Sequence, residues 1–555
     1  MEPLPGTARA LLRGAAGGAG GGVSGNVSGS ANRPGSGAPL LLALDQGTQS
    51  SRAMLFDASG ELVGRYQQPI QPYRDGGPGH AEQHADYFWR QLSLACQGLW
   101  ETHGELRQRV VAVALTTQRA SVVCLDQAMT PLRPVVIWLD QRRTDDYPRL
   151  PAYWRWPVAA LGQGETLRQF QAKAECNWLA AQEPDLWART DSYLLLSGYL
   201  TWRLCGQRRD CTASQVGYLP FDYKKQCWAS PGDMKWHALR VRREQLPELV
   251  PPGRPLGAIT EAAAADTGIP AGLPLIACGA DKACEVLGSG AFEPDTGHLS
   301  YGTTATFNTC NAAYVEPIPF VPAYGAAAPG RYNSEIIVQR GYWMVNWFKQ
   351  QFAAEEVRQA EQLGVPAEQL FEQLLEASPP GALGLTLQPF WNPGVRVPGP
   401  EAKGAIIGFG DVHTRAHLYR AIIEGIAYAL REGRERLEKR NRTPVRRLLV
   451  SGGGSQSDAV MQITADLFGL PAVRPHTFET SGLGAAINAA VGAGLFDDHA
   501  AAVAAMTRPG RRFDPRPAET ALYDQLYRRV YRRLYPRLGP LYRAIRQITG
   551  YPGRV

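Results

Sequence analysis

Residues 41–52 read LLALDQGTQSSR. The apolar run 41–44 has the pattern of a buried strand, and it ends in an acid, Asp45. Gly47, Thr48, Gln49, Ser50 and Ser51 follow, and a second apolar run, 53–56, leads away. This predicts a strand, a tight polar turn and a returning strand. Gly47 lets the backbone turn closely, so that N–H and hydroxyl donors converge in one concavity that suits phosphate oxygens. Asp45 and a phosphate are both negative, so a cation between them is the natural partner. On its own the stretch fits an ordinary hairpin with a polar turn equally well.

Residues 300–307, SYGTTATF, repeat the device: Gly302, Thr303 and Thr304 lie between apolar segments. They follow another isolated acid, Asp281, in ACGADKACEVLGSG. Asp281 stands where a strand gives way to a helix opening at 283–287, which also suits a helix N-cap. Two hairpins, each with an aspartate nearby, predict two lobes closing on one nucleotide.

The composition sets bounds on this reading. With 555 residues, two large domains are expected rather than one core. Hydrophobic residues make up 44% and no apolar run is long enough to span a bilayer, so a soluble globular chain is expected. Nine cysteines without a CxxC pair indicate neither a zinc site nor a disulfide framework, and point to a reducing cytoplasm. The net charge of +7 hints at nucleic acid, but its arginines crowd LYRRVYRRLYPRLGPLYR near the C-terminus. Tyr523, Tyr527, Tyr531 and Leu534 recur there at helical spacing, which predicts an amphipathic helix with a solvated arginine face. No nucleic-acid or membrane partner is expected, and a homodimer is left open.

Residues 1–38 are Gly, Ala, Ser, Pro and Asn in the main and are expected to be a disordered tail. Its G-x-G-x-x-G match at Gly20, Gly22 and Gly25 has no strand before it and no helix after it, so it carries no dinucleotide site. Buried strands are predicted at 110–116 and at 135–138 (VVIW), the latter leading into Asp140, Arg142 and Arg143. Helical periodicity dominates 166–204, and a long amphipathic helix is predicted over 413–440. A strand at 445–450 runs into SGGGSQSD (451–458) and a helix, a turn where a base and ribose can lie against bare backbone. No G-x-x-x-x-G-K-[ST] occurs, which excludes a P-loop enzyme.

From about residue 41 to about residue 542 the chain resembles the FGGY carbohydrate kinases, the group of glycerol kinase, xylulokinase and their relatives. DQGTQSSR is similar to the family's first phosphate motif, and Asp281 falls at its catalytic aspartate. Residues 404–424, GAIIGFGDVHTRAHLYRAIIE, resemble its C-terminal signature, and SGGGSQSD its adenosine turn. The resemblance implies an α/β fold of two ribonuclease-H-like domains of the sugar kinase, actin and chaperone superfamily, with a cleft between them. The expected division is a tail at 1–38, an N-terminal domain at 39–291, a C-terminal domain at 292–545 and a short tail at 546–555.

The resemblance further implies ATP-dependent phosphorylation of a hydroxyl of a small sugar or polyol. Asp281 would be the general base, and Mg2+ would be held through Asp45 and Asp281. ATP would be bound by Asp45, Gly47, Thr48, Gln49, Ser50, Arg52, Gly302, Thr303, Gly341, Gly453, Gly454 and Asp458. Arg119, Trp138, Asp140, Phe170, Asp281 and Lys282 would address the acceptor. Glycerol kinases present an Arg-Glu pair, a tyrosine and an Asp-Gln pair to glycerol. The matching positions here read Arg119-Ala120, Phe170 and Asp281-Lys282. Each missing polar partner costs about 1–3 kcal/mol, which argues for a ketose or sugar alcohol over glycerol, the alternative acceptor. A catalytically inactive sugar sensor of the same fold is the alternative from a different class, although Asp281 would be superfluous to it.

Overall fold

The computed structural model describes residues 37–71, 73–75, 79–319, 321–394 and 398–551. The reading of the N-terminal tail therefore lies outside the described residues up to residue 36.

The stretch around Asp45 forms the expected hairpin. β1 (Leu40–Gln46) pairs antiparallel with β2 (Ser50–Asp57), and β2 pairs antiparallel with β3 (Leu62–Pro69). On the other side β1 runs parallel to β4 (Val110–Thr117). β5 (Pro255–Ala258) and β6 (Pro274–Ile276) complete a sheet of order β5-β6-β4-β1-β2-β3. Every residue of β1 is buried, as a strand covered on both faces requires. Alternate residues serve different cores. Leu42, Leu44, Ala53 and Leu55 pack on one side with α1 (Ala85–His103), while Leu41, Ala43, Met54 and Phe56 pack on the other.

That second core joins the halves of the chain. It is filled from α2 (Asp281–Gly288) and from α5 (Thr480–Gly492), although α5 belongs by sequence to the C-terminal half. The two helices cross at glycine. A Cβ on Gly484 would lie 1.9 Å from the Cys284 carbonyl oxygen, and one on Gly288 would lie 2.0 Å from that of Thr480. No side chain fits there.

The second sheet repeats the first. β7 (Thr296–Tyr301), β8 (Ala305–Asn311) and β9 (Tyr332–Val338) form an antiparallel meander. β10 (Arg447–Ser451) runs parallel to β7, and β11 (Ala472–Pro475) runs parallel to β10. β12 (Pro509–Phe513) is antiparallel to β11, as β5 is to β6. The short strand Tyr324–Gly325 adds an edge next to β9. α3 (Arg415–Asn441) covers this sheet, and α4 (Asp458–Phe468) links β10 to β11. Tyr523, Tyr527 and Tyr531 are buried in the same core, as their spacing predicts.

Three expectations change. Only Val135–Val136 of the predicted VVIW strand is extended, and it belongs to a separate five-stranded sheet rather than the main one. The helical run 166–204 is broken by the strand Ser192–Leu195, which pairs with Val122–Leu125; tertiary pairing overrides local periodicity there. The last helix runs to Thr549, into the stretch read as a tail.

Candidate functional site

Both hairpins turn at the edge of one cleft. In the first, Asp45 and Arg52 are cross-strand partners, and the Arg52 guanidinium meets Asp45 Oδ2 at 2.5 Å. Arg52 also donates to Glu479 Oε2 at 2.7 Å, just before α5, and Arg65 pairs with the same carboxylate. Asp45 is fully buried, and its Oδ1 has no hydrogen-bond partner. Burial pushes its carboxyl up to about 6 against the pull of Arg52. The turn closes with Gly47 N–H donating to the Ser50 carbonyl at 3.0 Å. Thr48 stands in a relay: the Trp138 indole N–H donates to its hydroxyl at 3.0 Å, and that hydroxyl donates to Gln118 Oε1 at 3.1 Å.

The second hairpin turns through 302–304. Tyr342 N–H donates to the Gly302 carbonyl at 3.0 Å, tying the turn to the loop that holds Gly341. A Cβ on Gly341 would lie 2.3 Å from the Ala305 nitrogen, so this glycine permits close packing behind the turn. Gly453, past the end of β10, has open space before it, whereas Gly454 lies against the Tyr342 ring. Asp458, the first residue of α4, is paired with Arg474 at 2.8 Å and with Arg511. Glu372 Oε1 caps the same helix, accepting from the Ser457 hydroxyl at 2.8 Å and from Asp458 N–H at 2.9 Å.

Asp281 opens α2, with Ala280 rather than Asp281 in the cap position. Its Oδ1 accepts from Lys282 N–H at 2.7 Å. Burial raises its carboxyl above the usual range, while the Arg119 and Lys282 charges pull the other way. Its charge also helps to raise the Asp45 carboxyl, so the two acids lie within electrostatic reach of each other.

The expected acceptor residues separate into three groups. Arg119 reaches across the cleft to Glu335 on β9 at 2.8 Å, with the Tyr324 ring 5.6 Å away. Arg119, Lys282, Asn308, Tyr324, Asn333 and Glu335 line a cavity of about 10 Å³, room for about one water. Trp138 is 40% exposed beside Thr48, and Phe170 packs edge-on against Tyr218 at 5.5 Å. Asp140 belongs to neither group: its oxygens accept from Ala81 N–H at 2.8 Å and from Arg142 N–H at 2.9 Å, and it pairs with the Arg142 guanidinium. Both oxygens hold the loop. Lys282 likewise spends its ammonium on Glu285 at 2.6 Å and Ser300 at 2.8 Å.

Sequence reasoning passed over Glu285, Glu335, Glu372 and Glu479. Each acts on a residue far away in the chain, and no local spacing marks it. Lys173, a cation on the acceptor side, also escaped notice. The Thr144 N–H to Ala172 carbonyl bond, 3.0 Å, brings Arg143 beside Lys173, one turn after Phe170. Arg143 bonds Gln169 at 3.2 Å, and neither cation forms an ion pair among the described residues.

Two duplicated sheets, each turning a glycine-hydroxyl hairpin into a shared cleft, with the half-buried Asp281 at the head of α2, define a two-lobed phosphotransferase. The chain belongs to the FGGY family of carbohydrate kinases. The family's N-terminal domain matches residues 40–288 and its C-terminal domain residues 297–493. It is 29% identical over 489 residues to the uncharacterized sugar kinase YgcE of Escherichia coli (strain K12), covering 88% of this chain and 91% of that protein. It is 27% identical over 491 residues to a xylulose kinase of Lactococcus lactis, covering 88% and 94%. A glycerol kinase of Dechloromonas aromatica is 29% identical over 490 residues, covering 86% and 94%. The crystal structure of a xylulose kinase from Rhodospirillum rubrum superposes with a TM-score of 0.76 at 27% identity, over 91% of this chain and 100% of that one. The chain is thus an ATP-dependent kinase of a sugar or polyol. No helix among the described residues is long and apolar enough to cross a membrane.

Proposed function

We propose that this enzyme transfers the γ-phosphoryl group of ATP to a hydroxyl of a four- to seven-carbon ketose or sugar alcohol, with Asp281 as general base. The observation that carries the reading is the position of Asp281: it is half-buried at the head of α2, within the fields of Arg119 and Asp45, and its neighbour Lys282 bonds Ser300 at the root of the second hairpin. A carboxylate there takes the acceptor's proton as the bond to phosphorus forms. Thr48, Gln49 and Ser50 from one hairpin and Gly302 and Thr303 from the other hold the polyphosphate. The adenosine lies along Gly453 and Gly454, near Gly341, with Asp458 at the rim. Lobes at residues 39–291 and 292–545 close over the substrates and exclude water. The nine cysteines, free thiols in the fold, suit a cytoplasmic enzyme.

Magnesium fits the residues present. The Asp45 Oδ1 is a buried acceptor without a partner, and no group of three or more His, Cys, Asp or Glu among the described residues could cage a metal ion. An ion that keeps most of its waters and is addressed by Asp45, with Asp281 nearby, satisfies both facts. When bound, it neutralises developing charge on the phosphates.

A sugar acid is a second reading of the acceptor, favoured by Arg143 and Lys173. Burial lowers the affinity of both for protons, and among the described residues no carboxylate pairs with either one. A coupled ADP-release screen across polyols, tetroses, pentuloses, hexuloses and sugar acids tests the proposal. ATP turnover that depends on one of these acceptors is expected. ATP hydrolysis indifferent to every acceptor would overturn it.

A further inference from the structure

One turn after Asp281, α2 carries a second carboxylate, the buried Glu285, for which phosphoryl transfer has no need. Its Oε1 accepts from the Ser300 hydroxyl at 2.7 Å and from the Ser451 hydroxyl at 2.6 Å. Its Oε2 accepts from the Lys282 ammonium at 2.6 Å, and the same ammonium donates to Ser300 Oγ at 2.8 Å. Ser300 and Ser451 are Cα partners across the parallel pair β7 and β10. They stand just before the Gly302 turn and the glycines 452–454. One oxygen on the first lobe's helix is therefore gripped by the two central strands of the second lobe, where those strands release the nucleotide turns.

The protons order themselves around this carboxylate. With both hydroxyl protons directed to Glu285, His298 Nε2, 2.8 Å from Ser451 Oγ, is left to donate to that oxygen. Burial opposes the charge on Glu285, but Lys282 and the donors around it outweigh burial. The other carboxylates that act on the Lys282 ammonium are Asp281 and Glu335. Glu335 is already held by Arg119. Without Glu285, Lys282 keeps the Ser300 hydroxyl, and Asp281 becomes the carboxylate acting on it that no arginine already holds.

We propose that Glu285 is a positioning residue for Asp281: it docks α2 onto β7 and β10 and draws the Lys282 ammonium away from the Asp281 carboxylate. The inference rests on Asp281 being the base. Lobe docking and release of the base then become one event, because Ser300 and Ser451 reach Glu285 only when the second lobe is seated.

Steady-state kinetics on the full chain, with thermal melts alongside, tests this. Glu285→Gln keeps an oxygen for the two serines but cannot counter the ammonium. Its kcat is expected to fall about 10–100-fold, with KM for ATP and acceptor within about threefold of wild type. In a Lys282→Met background the same change should cost less than about fivefold, since the misdirected cation is gone. In an Asp281→Asn background it should cost less than about twofold, because Glu285 acts through Asp281. A kcat for Glu285→Gln within twofold of wild type would overturn the proposal, as would a loss that multiplies undiminished in either background. If Glu285→Gln does not fold, Ser451→Ala serves: about a three- to tenfold fall in kcat at unchanged KM is expected, and wild-type kcat contradicts it. Near-normal turnover by Asp281→Asn alone would instead remove the base itself, which is a separate failure.

Discussion

The next-to-last residue of β1 is Asp45; the next-to-last residue of β7 is Ser300. Each stands opposite a hydroxyl residue on the neighbouring parallel strand, Thr116 for Asp45 and Ser451 for Ser300. Each leads through one further residue into a glycine turn. The backbone plan is shared, yet the chemistry differs. The first hairpin is built from charge, with Asp45, Arg52 and Glu479 in one chain of ion pairs. The second offers hydroxyls, and the carboxylate they bind, Glu285, comes from the other lobe. Two acidic hairpins would repel one another and the polyphosphate as the lobes closed. Placing the acid on one side lets the neutral hairpin approach.

The sharpest way to break this comparison is to remove the acid from one position and the hydroxyl from the other. Asp45→Asn should lower kcat/KM for MgATP about 10²–10³-fold, the scale for losing a preorganised charge at a phosphate site. Ser300→Ala should cost no more than about tenfold. Equal losses would show that the asymmetry of charge has no catalytic meaning.

The acceptor side comes next. Ala120 and Phe170 remove two hydrogen-bonding side chains from the positions that address glycerol, and Lys282 is engaged by Glu285 and Ser300. Glycerol should therefore be at least ~10²-fold poorer in kcat/KM than the best longer acceptor. A panel of three- to seven-carbon acceptors at saturating MgATP measures this, and glycerol as the best of them would refute the pocket argument.

A smaller effect separates the strands themselves. His298, wholly buried in β7, is held down to about 4 by burial. Below the ordinary histidine value the unfolded chain binds a proton that the folded chain refuses, so stability is present above about pH 6.5 and is lost as pH falls toward 4. About 2 kcal/mol should disappear between pH 7 and pH 5. Denaturant unfolding of His298→Asn should show a flatter pH dependence than wild type over that range; an identical slope would exclude His298 as its source.

Much of this arrangement was legible in the sequence wherever chemistry is local. The hairpin at Asp45, its echo at Tyr301-Gly302, and the strand-glycine-helix passage around Gly453 each announce themselves within a dozen residues. Contacts that span hundreds of positions did not. Arg119 with Glu335 and Ser451 with Glu285 carry no spacing signal, since only the duplicated sheets bring them together. The bond from Ala81 N–H to Asp140 is hidden for a related reason: the two residues lie in separate stretches with no shared pattern. The placement of α5 on the first sheet was equally hidden, because its alanine-rich sequence fits either lobe.

The central claim is that the two hairpins deliver one phosphoryl group to a hydroxyl activated by Asp281. Turnover of Asp281→Asn with MgATP and the best acceptor, alongside binding of both substrates, tests it most directly. The account predicts kcat lower by about 10²–10⁴-fold, with ATP and sugar affinities retained within about threefold. Turnover near the wild-type rate would contradict it.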